Sequence, residues 1–203
     1  MTGSLQVFRR VLGARPWNSP GFPRFFVMSD SQRLPDPKRL LSSLPKDSAI
    51  IFRHYDAPNR EQLARELVML AHQRNIRVLI AGDWKLAHRC RADGIHYPEF
   101  ALKRLCGKPR KLKKGWLTSA AVHNPRAAAK SKKLSIDISI ISPVFATASH
   151  PNEKPLGIRK FSNLVQRRSG PETIALGGIT EVNALQLKAS GLWGLAGIGI
   201  FKE

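Results

Sequence analysis

Acidic residues are scarce in this chain. Against 34 Lys and Arg it sets 14 Asp and Glu in 203 residues, a formal charge of +20 and a pI near 11.0. Such a field concentrates anions near the surface and carries no information about fold. Cysteine is almost absent. Cys90 and Cys106 are too few for a disulfide framework and too far apart for a Cys-x-x-Cys motif, the usage of a reducing compartment. No HExxH and no Cys/His cluster with zinc spacing occurs, which argues against a zinc site. No apolar run is long enough for a membrane span. The N-terminus, MTGSLQVFRRVLGARPW, lacks the apolar core and small-residue cleavage site of a secretory signal. A cytoplasmic protein is expected. The densest basic cluster, Lys103 to Lys114, contains no aromatic before Trp116, whereas nucleic-acid modules pair basic residues with stacking rings. A solvated basic face is the expectation there, with contact to nucleic acid or an acidic membrane as the lesser reading.

What the chain does have is apolar content, 42%, delivered in short runs. Eight recur: 24–28, 49–52, 78–81, 94–96, 115–118, 138–142, 173–176 and 194–196. None alternates strictly, as expected of strands buried on both faces. Helical patterns lie between them. Pro58 to Arg74 carries Leu63, Leu67, Leu70 and Ala71 on one stripe, with Pro58 where a first turn tolerates it. Asn124-Pro125 reads as a cap followed by a proline at the first helical position. Thr180 reads as the cap of a helix stopped by Gly191.

Eight strands with helices between them predict a (β/α)8 TIM barrel, with a doubly wound open sheet as the second choice. The chain ends just after the last strand, so the closing helix is predicted to be short or missing. That would leave apolar surface at the first and last strands, to be covered by a homodimer partner or by residues 1–23. With no repeat or linker, the division is a basic N-terminal extension, 1–23, and one barrel, 24–203.

A barrel of this kind carries its chemistry at the carboxyl ends of its strands. The polar residues that follow the apolar runs are therefore the site candidates. Among them are Arg53, His54, Asp83, Thr118, Ser119, His123, and Thr147 through His150. Ala175-Leu176-Gly177-Gly178-Ile179-Thr180 is the strongest local signal, because glycines after a buried strand let backbone approach a ligand. Gly197-Ile198-Gly199 is its neighbour, and the loops after strands seven and eight recurrently hold phosphate in such barrels. Tight packing is the competing explanation for both glycine turns.

The series GDWKLAHRCRADGIHYPE, TSAAVHNPRAA, SPVFATASHPNEKPLG, IALGGIT and GLAGIGIF resembles the thiamine phosphate synthase/TenI family over roughly residues 24 to 201. The resemblance implies a barrel that joins hydroxymethylpyrimidine diphosphate to thiazole phosphate, releasing pyrophosphate with Mg2+ present. A TenI-like barrel that binds a phosphorylated ligand without synthase activity is the alternative. The resemblance implies catalytic roles for Arg53, His123 and His150. Thr118, Ser119, Thr147, Ser149, Gly177, Gly178, Ile198 and Gly199 would bind a phosphorylated small-molecule substrate, and Asp83 and Glu99 would hold the metal. The chain departs from the family pattern at several positions. Ile51 and Tyr55 flank Arg53 where Gln and Lys are expected, and Ala101 stands at the second metal-binding Asp. His150 replaces a Lys, and Pro143 replaces the tautomerase His.

Overall fold

A computed structural model describes residues 3–14, 21–107, 109, 114–147, 154–165 and 170–198. Eight parallel strands close into a barrel in chain order: β1 Phe25–Met28, β2 Ser48–Phe52, β3 Arg77–Ala81, β4 Gly94–Tyr97, β5 Leu117–Val122, β6 Ile138–Ile141, β7 Glu172–Leu176 and β8 Gly194–Gly197. β1 pairs with β8, Phe26 opposite Ala196, and this pairing closes the ring.

Successive residues of each strand go to different cores. Phe26, Met28, Ala49, Ile51, Leu79 and Ala81 fill the barrel interior. Val27, Ile50, Phe52, Val78 and Ile80 face the surrounding helices. Burial on both sides is the physical reason the strands read as continuous apolar runs.

The helices outside the barrel are α2 Arg60–His72, α3 Trp84–Arg89, α4 Glu99–Arg104, α5 Pro125–Lys133, α6 Gly157–Val165 and α7 Glu181–Ala184. Two starts match their sequence signals. Asn124 Oδ1 accepts from Ala127 N at 2.9 Å, with Pro125 behind the cap. Thr180 and Asn183 form a reciprocal capping box. A 3-10 segment then runs to Gly191 at φ 73°, the left-handed stop. Two expectations need correcting. α2 begins at Arg60, so Pro58 lies before the helix, and its fully buried stripe is Ala64, Leu67, Val68 and Ala71. β5 begins two residues later than predicted and runs to Val122, because Lys114 and Gly115 form a turn, with Gly115 at φ 78°.

No helix follows β8 among the described residues. The gap at the β8–β1 seam is filled from the other end of the chain by α1, Gly3–Leu12, which packs against α7 and the 3-10 segment after it. Leu5, Phe8 and Val11 recur at helical spacing and are buried in the same core as β1 and β8. Arg24, itself buried, fastens the helix end. Its guanidinium donates to the carbonyls of Leu12 (2.6 Å), Gly13 (2.9 Å) and Trp193 (3.1 Å). A cation at a helix C-terminus meets both the unpaired carbonyls and the negative end of the dipole. Part of the predicted basic extension thus covers the β8–β1 seam. No helix among the described residues is long and apolar enough to cross a membrane.

Candidate active site

A cavity of about 250 Å³ opens at the carboxyl end of the barrel. Met28, Ile140 and Leu176 supply its apolar lining, and polar groups from several loops converge on it.

On the β1–β2 side, Asp30 organises a tight turn. Its Oδ1 accepts from the backbone N–H of Gln32 (3.1 Å) and Arg33 (2.9 Å), and Leu34 N donates to its carbonyl. Its Oδ2 accepts from Arg33 Nη2 at 3.1 Å and from Arg53 Nη2 at 3.3 Å. Burial opposes ionisation of this carboxyl, but the hydrogen bonds from Arg33 and Gln32 and the Arg33 charge outweigh it and hold the pKa at about 2. Arg53 is braced further by Nε donating to Ser29 O at 2.8 Å. Arg33 and Arg53 both line the cavity. His54, expected on the rim, is buried instead and stacks on Phe52. Its Nε2 faces the Pro35 carbonyl at 2.9 Å, so that nitrogen carries the hydrogen and Nδ1 accepts from the Ser29 hydroxyl. Its role is structural.

The β4–β5 side presents two histidines. His96, buried at the end of β4, shares a 2.9 Å hydrogen bond with Ser119 Oγ. Burial, with the positive charges of Arg53 and His123 adding to it, pushes its pKa down to about 3. An unfolded His titrates near 6.5 (roughly), so below that pH the unfolded chain binds a proton that the folded chain refuses. Stability therefore falls as pH falls, by up to about 1.4 kcal/mol per unit, until pH nears the folded value. Urea unfolding between pH 7 and pH 5 (approximate limits) is expected to show a loss of about 1–2 kcal/mol. His96→Gln should flatten that loss, and parallel profiles for the two proteins would remove His96 as its source. Asp30 acts in the same direction, but only below the ordinary carboxylate range.

His123 donates from Nδ1 to Ser142 O at 2.9 Å, leaving Nε2 as the nitrogen able to exchange a proton, 3.8 Å from Glu99 Oε2. Glu99 also accepts from Asn124 Nδ2 (3.0 Å) and pairs with Lys103 (2.9 Å). Burial raises its pKa, but the Lys103 and Asn124 bonds dominate and the carboxyl lies below its usual range.

On the far wall, the loop after β6 is sewn to the end of β7. Val144 N donates to Leu176 O (3.0 Å) and Phe145 N to Gly177 O (3.1 Å). Thr147, Gly177 and Ile198 line the cavity there. Gly178 does not. At φ 64° it lies so close to the loop that a Cβ would stand 2.2 Å from Ala146 O, so tight packing explains this glycine. Ser149, His150 and Gly199 lie outside the described residues.

Thr118 requires a correction. Alternation along β5 turns it outward between Leu117 and Ser119, where its hydroxyl donates to Asp137 Oδ2 at 2.8 Å, and it does not line the cavity. Ser119 points inward but sits below the rim, bonded to His96. Arg33 carried no motif, and its only sequence signal was a position a few residues past a strand end.

The metal candidates do not come together. Asp83 caps α3, Oδ1 accepting from Leu86 N at 2.9 Å, and its Oδ2 lies 3.9 Å from Arg60 Nη1. It is not in the cavity lining, whereas Glu99 is. No group of three His, Cys, Asp or Glu among the described residues is placed to hold a metal ion. Mg2+ requires near-octahedral oxygen ligation, and two carboxylates already engaged by cations do not fit that need.

The same architecture recurs in a known protein. A sequence profile described as thiamine monophosphate synthase matches residues 32–201. The chain belongs to the thiamine monophosphate synthase family. It is 27% identical over 186 residues to a putative thiamine-phosphate synthase 2 of Aquifex aeolicus, a match covering 89% of this chain and 98% of the relative. A thiamine-phosphate synthase of Leuconostoc citreum is 25% identical over 194 residues, covering 89% of each. Thiamine phosphate pyrophosphorylase from Pyrococcus furiosus superposes with a TM-score of 0.68 at 20% identity, covering 85% of this chain and 84% of that one. Within this thiamine monophosphate synthase-family barrel, the Arg53 wall and the Gly177 wall face one shared cavity.

Proposed function

We propose that this barrel joins hydroxymethylpyrimidine diphosphate to thiazole phosphate, with loss of pyrophosphate. The observation that carries this reading is the convergence of Arg53, His123, Thr147, Gly177 and Ile198 on one cavity. In the reaction the C–O bond to the diphosphate breaks and the leaving group takes the electron pair. The thiazole nitrogen then gives its lone pair to the pyrimidine methylene carbon. That nitrogen bears no proton, so the bond-forming step needs no base. The residues have two tasks: to stabilise charge on the departing oxygens and to hold the two rings in line.

Arg53 suits the first task, since its guanidinium is fixed by Ser29 O and Asp30. Neutral His96 adds a polar group at the cavity without a second charge. Thr147 and the backbone around Gly177 suit the thiazole phosphate. The test is formation of thiamine phosphate from both substrates, read as thiochrome fluorescence after oxidation. Arg53→Gln should lower kcat/KM by about 10²–10³-fold. Binding of thiazole phosphate with no product from the unaltered chain would leave a TenI-like, non-synthase barrel instead.

A further inference from the structure

We infer that the diphosphate end of the cavity is a paired-guanidinium site, Arg33 with Arg53, that binds pyrophosphate without a resident divalent cation. The inference rests on the preceding assignment of which end takes the diphosphate. Two observations carry it. First, the carboxylates that would hold a cation are committed elsewhere. Asp83 caps α3 and lies near Arg60, Glu99 is engaged by Lys103 and Asn124, and Ala101 replaces the other expected acid. Second, the β1–β2 corner carries a built arrangement of the opposite charge. One carboxylate oxygen of Asp30 sets the turn and the other orients both guanidiniums, at 3.1 and 3.3 Å.

A pyrophosphate leaving group presents several oxygens that need charge and direction. Guanidinium supplies both, as planar paired N–H groups that match phosphate geometry. Among the described residues, two guanidiniums and one carboxylate leave a net positive corner beside the cavity, on side chains held by Asp30. Asp30 acts here as a positioning residue. It places the cations at the cost of a negative charge near an anion.

The test is calorimetric titration of the full chain with inorganic pyrophosphate, in EDTA and again with Mg2+. Affinity in EDTA should lie within about threefold of that in Mg2+. Arg33→Gln should weaken it by about 10–100-fold in both buffers, the span expected for a charge-assisted contact, and Arg33→Lys should fall between. Asp30→Asn separates positioning from simple electrostatics. Removing a negative charge would tighten anion binding if charge alone mattered, whereas loss of positioning weakens it, and weakening is the expected result. Arg33 is 42% exposed, so its variants should fold, with circular dichroism as the check. A Mg2+-dependent gain above about tenfold, an Arg33→Gln protein that binds as tightly as the original, or tighter binding by Asp30→Asn would each overturn the inference. Pyrophosphate binding of the expected kind without thiamine phosphate formation would refute the proposed function alone. Turnover with pyrophosphate held only in Mg2+ would refute the guanidinium site alone.

Discussion

Phe8→Ala is expected to cost about 3–5 kcal/mol, the range for removing a fully buried aromatic ring. Domains of ordinary stability have only about 5–15 kcal/mol in total, so this single change removes a large share. The ring is 1% exposed and belongs to the core that also holds Leu5, Val11, Phe25 and Leu195. Without it, α1 loses the centre of its apolar face and the β8–β1 seam loses its cover. Urea unfolding should show a much lower midpoint. Arg10→Ala, on the exposed face of the same helix, should change it by less than about 0.5 kcal/mol. Equal stability of the Phe8→Ala protein and the original would mean that α1 does not close the barrel. If the Arg24 staple contributes as its three carbonyl contacts indicate, Arg24→Ala should weaken the same seam.

Gly178→Ala should disable the site. The added methyl meets Ala146 O at 2.2 Å and Phe145 C at 2.9 Å, both backbone atoms. Relief requires moving the loop after β6, which stretches the Val144–Leu176 and Phe145–Gly177 hydrogen bonds and displaces Thr147 from the cavity wall. The left-handed φ adds about 1–2 kcal/mol of strain. We expect thiazole phosphate affinity to fall by about 100-fold, together with a lower Tm. Gly191→Ala is the control, because φ is 73° there and a Cβ would meet nothing within 4 Å. It should show strain of about 1 kcal/mol with ligand affinity retained. A Gly178→Ala protein with intact stability and affinity would contradict the close packing of the two loops.

The order of strands and helices was legible because the signals are local. Short apolar runs marked the strands, and Asn124, Thr180 and Gly191 marked helix ends through bonds spanning a few residues. The family resemblance added the identity of the site loops. Arg53, His123, Thr147, Gly177 and Ile198 do line the cavity. Elsewhere local reading failed for specific reasons. Thr118 was assigned to the rim because the apolar run was read as ending there, whereas β5 continues to Val122 and leaves Thr118 near its start. His54 follows a strand as a rim residue should, but the Ser29 hydroxyl and the Pro35 carbonyl draw it inward. Gly177 and Gly178 look alike in sequence, yet one lines the cavity and the other faces Ala146 across a loop.

The sequence alone determined the barrel, the family and the side of the fold that carries chemistry. These depend on periodicity, turn residues and short motifs, each complete within a few neighbouring positions. Only the tertiary structure decided that α1 covers the β8–β1 seam, since Leu5, Phe8 and Val11 mark an apolar face without naming what it covers. Only the tertiary structure brought Arg33 to Arg53 through Asp30 and left Asp83 outside the cavity that Glu99 lines. Those outcomes depend on contacts between segments distant in sequence, where side-chain direction and competing hydrogen bonds are settled by packing.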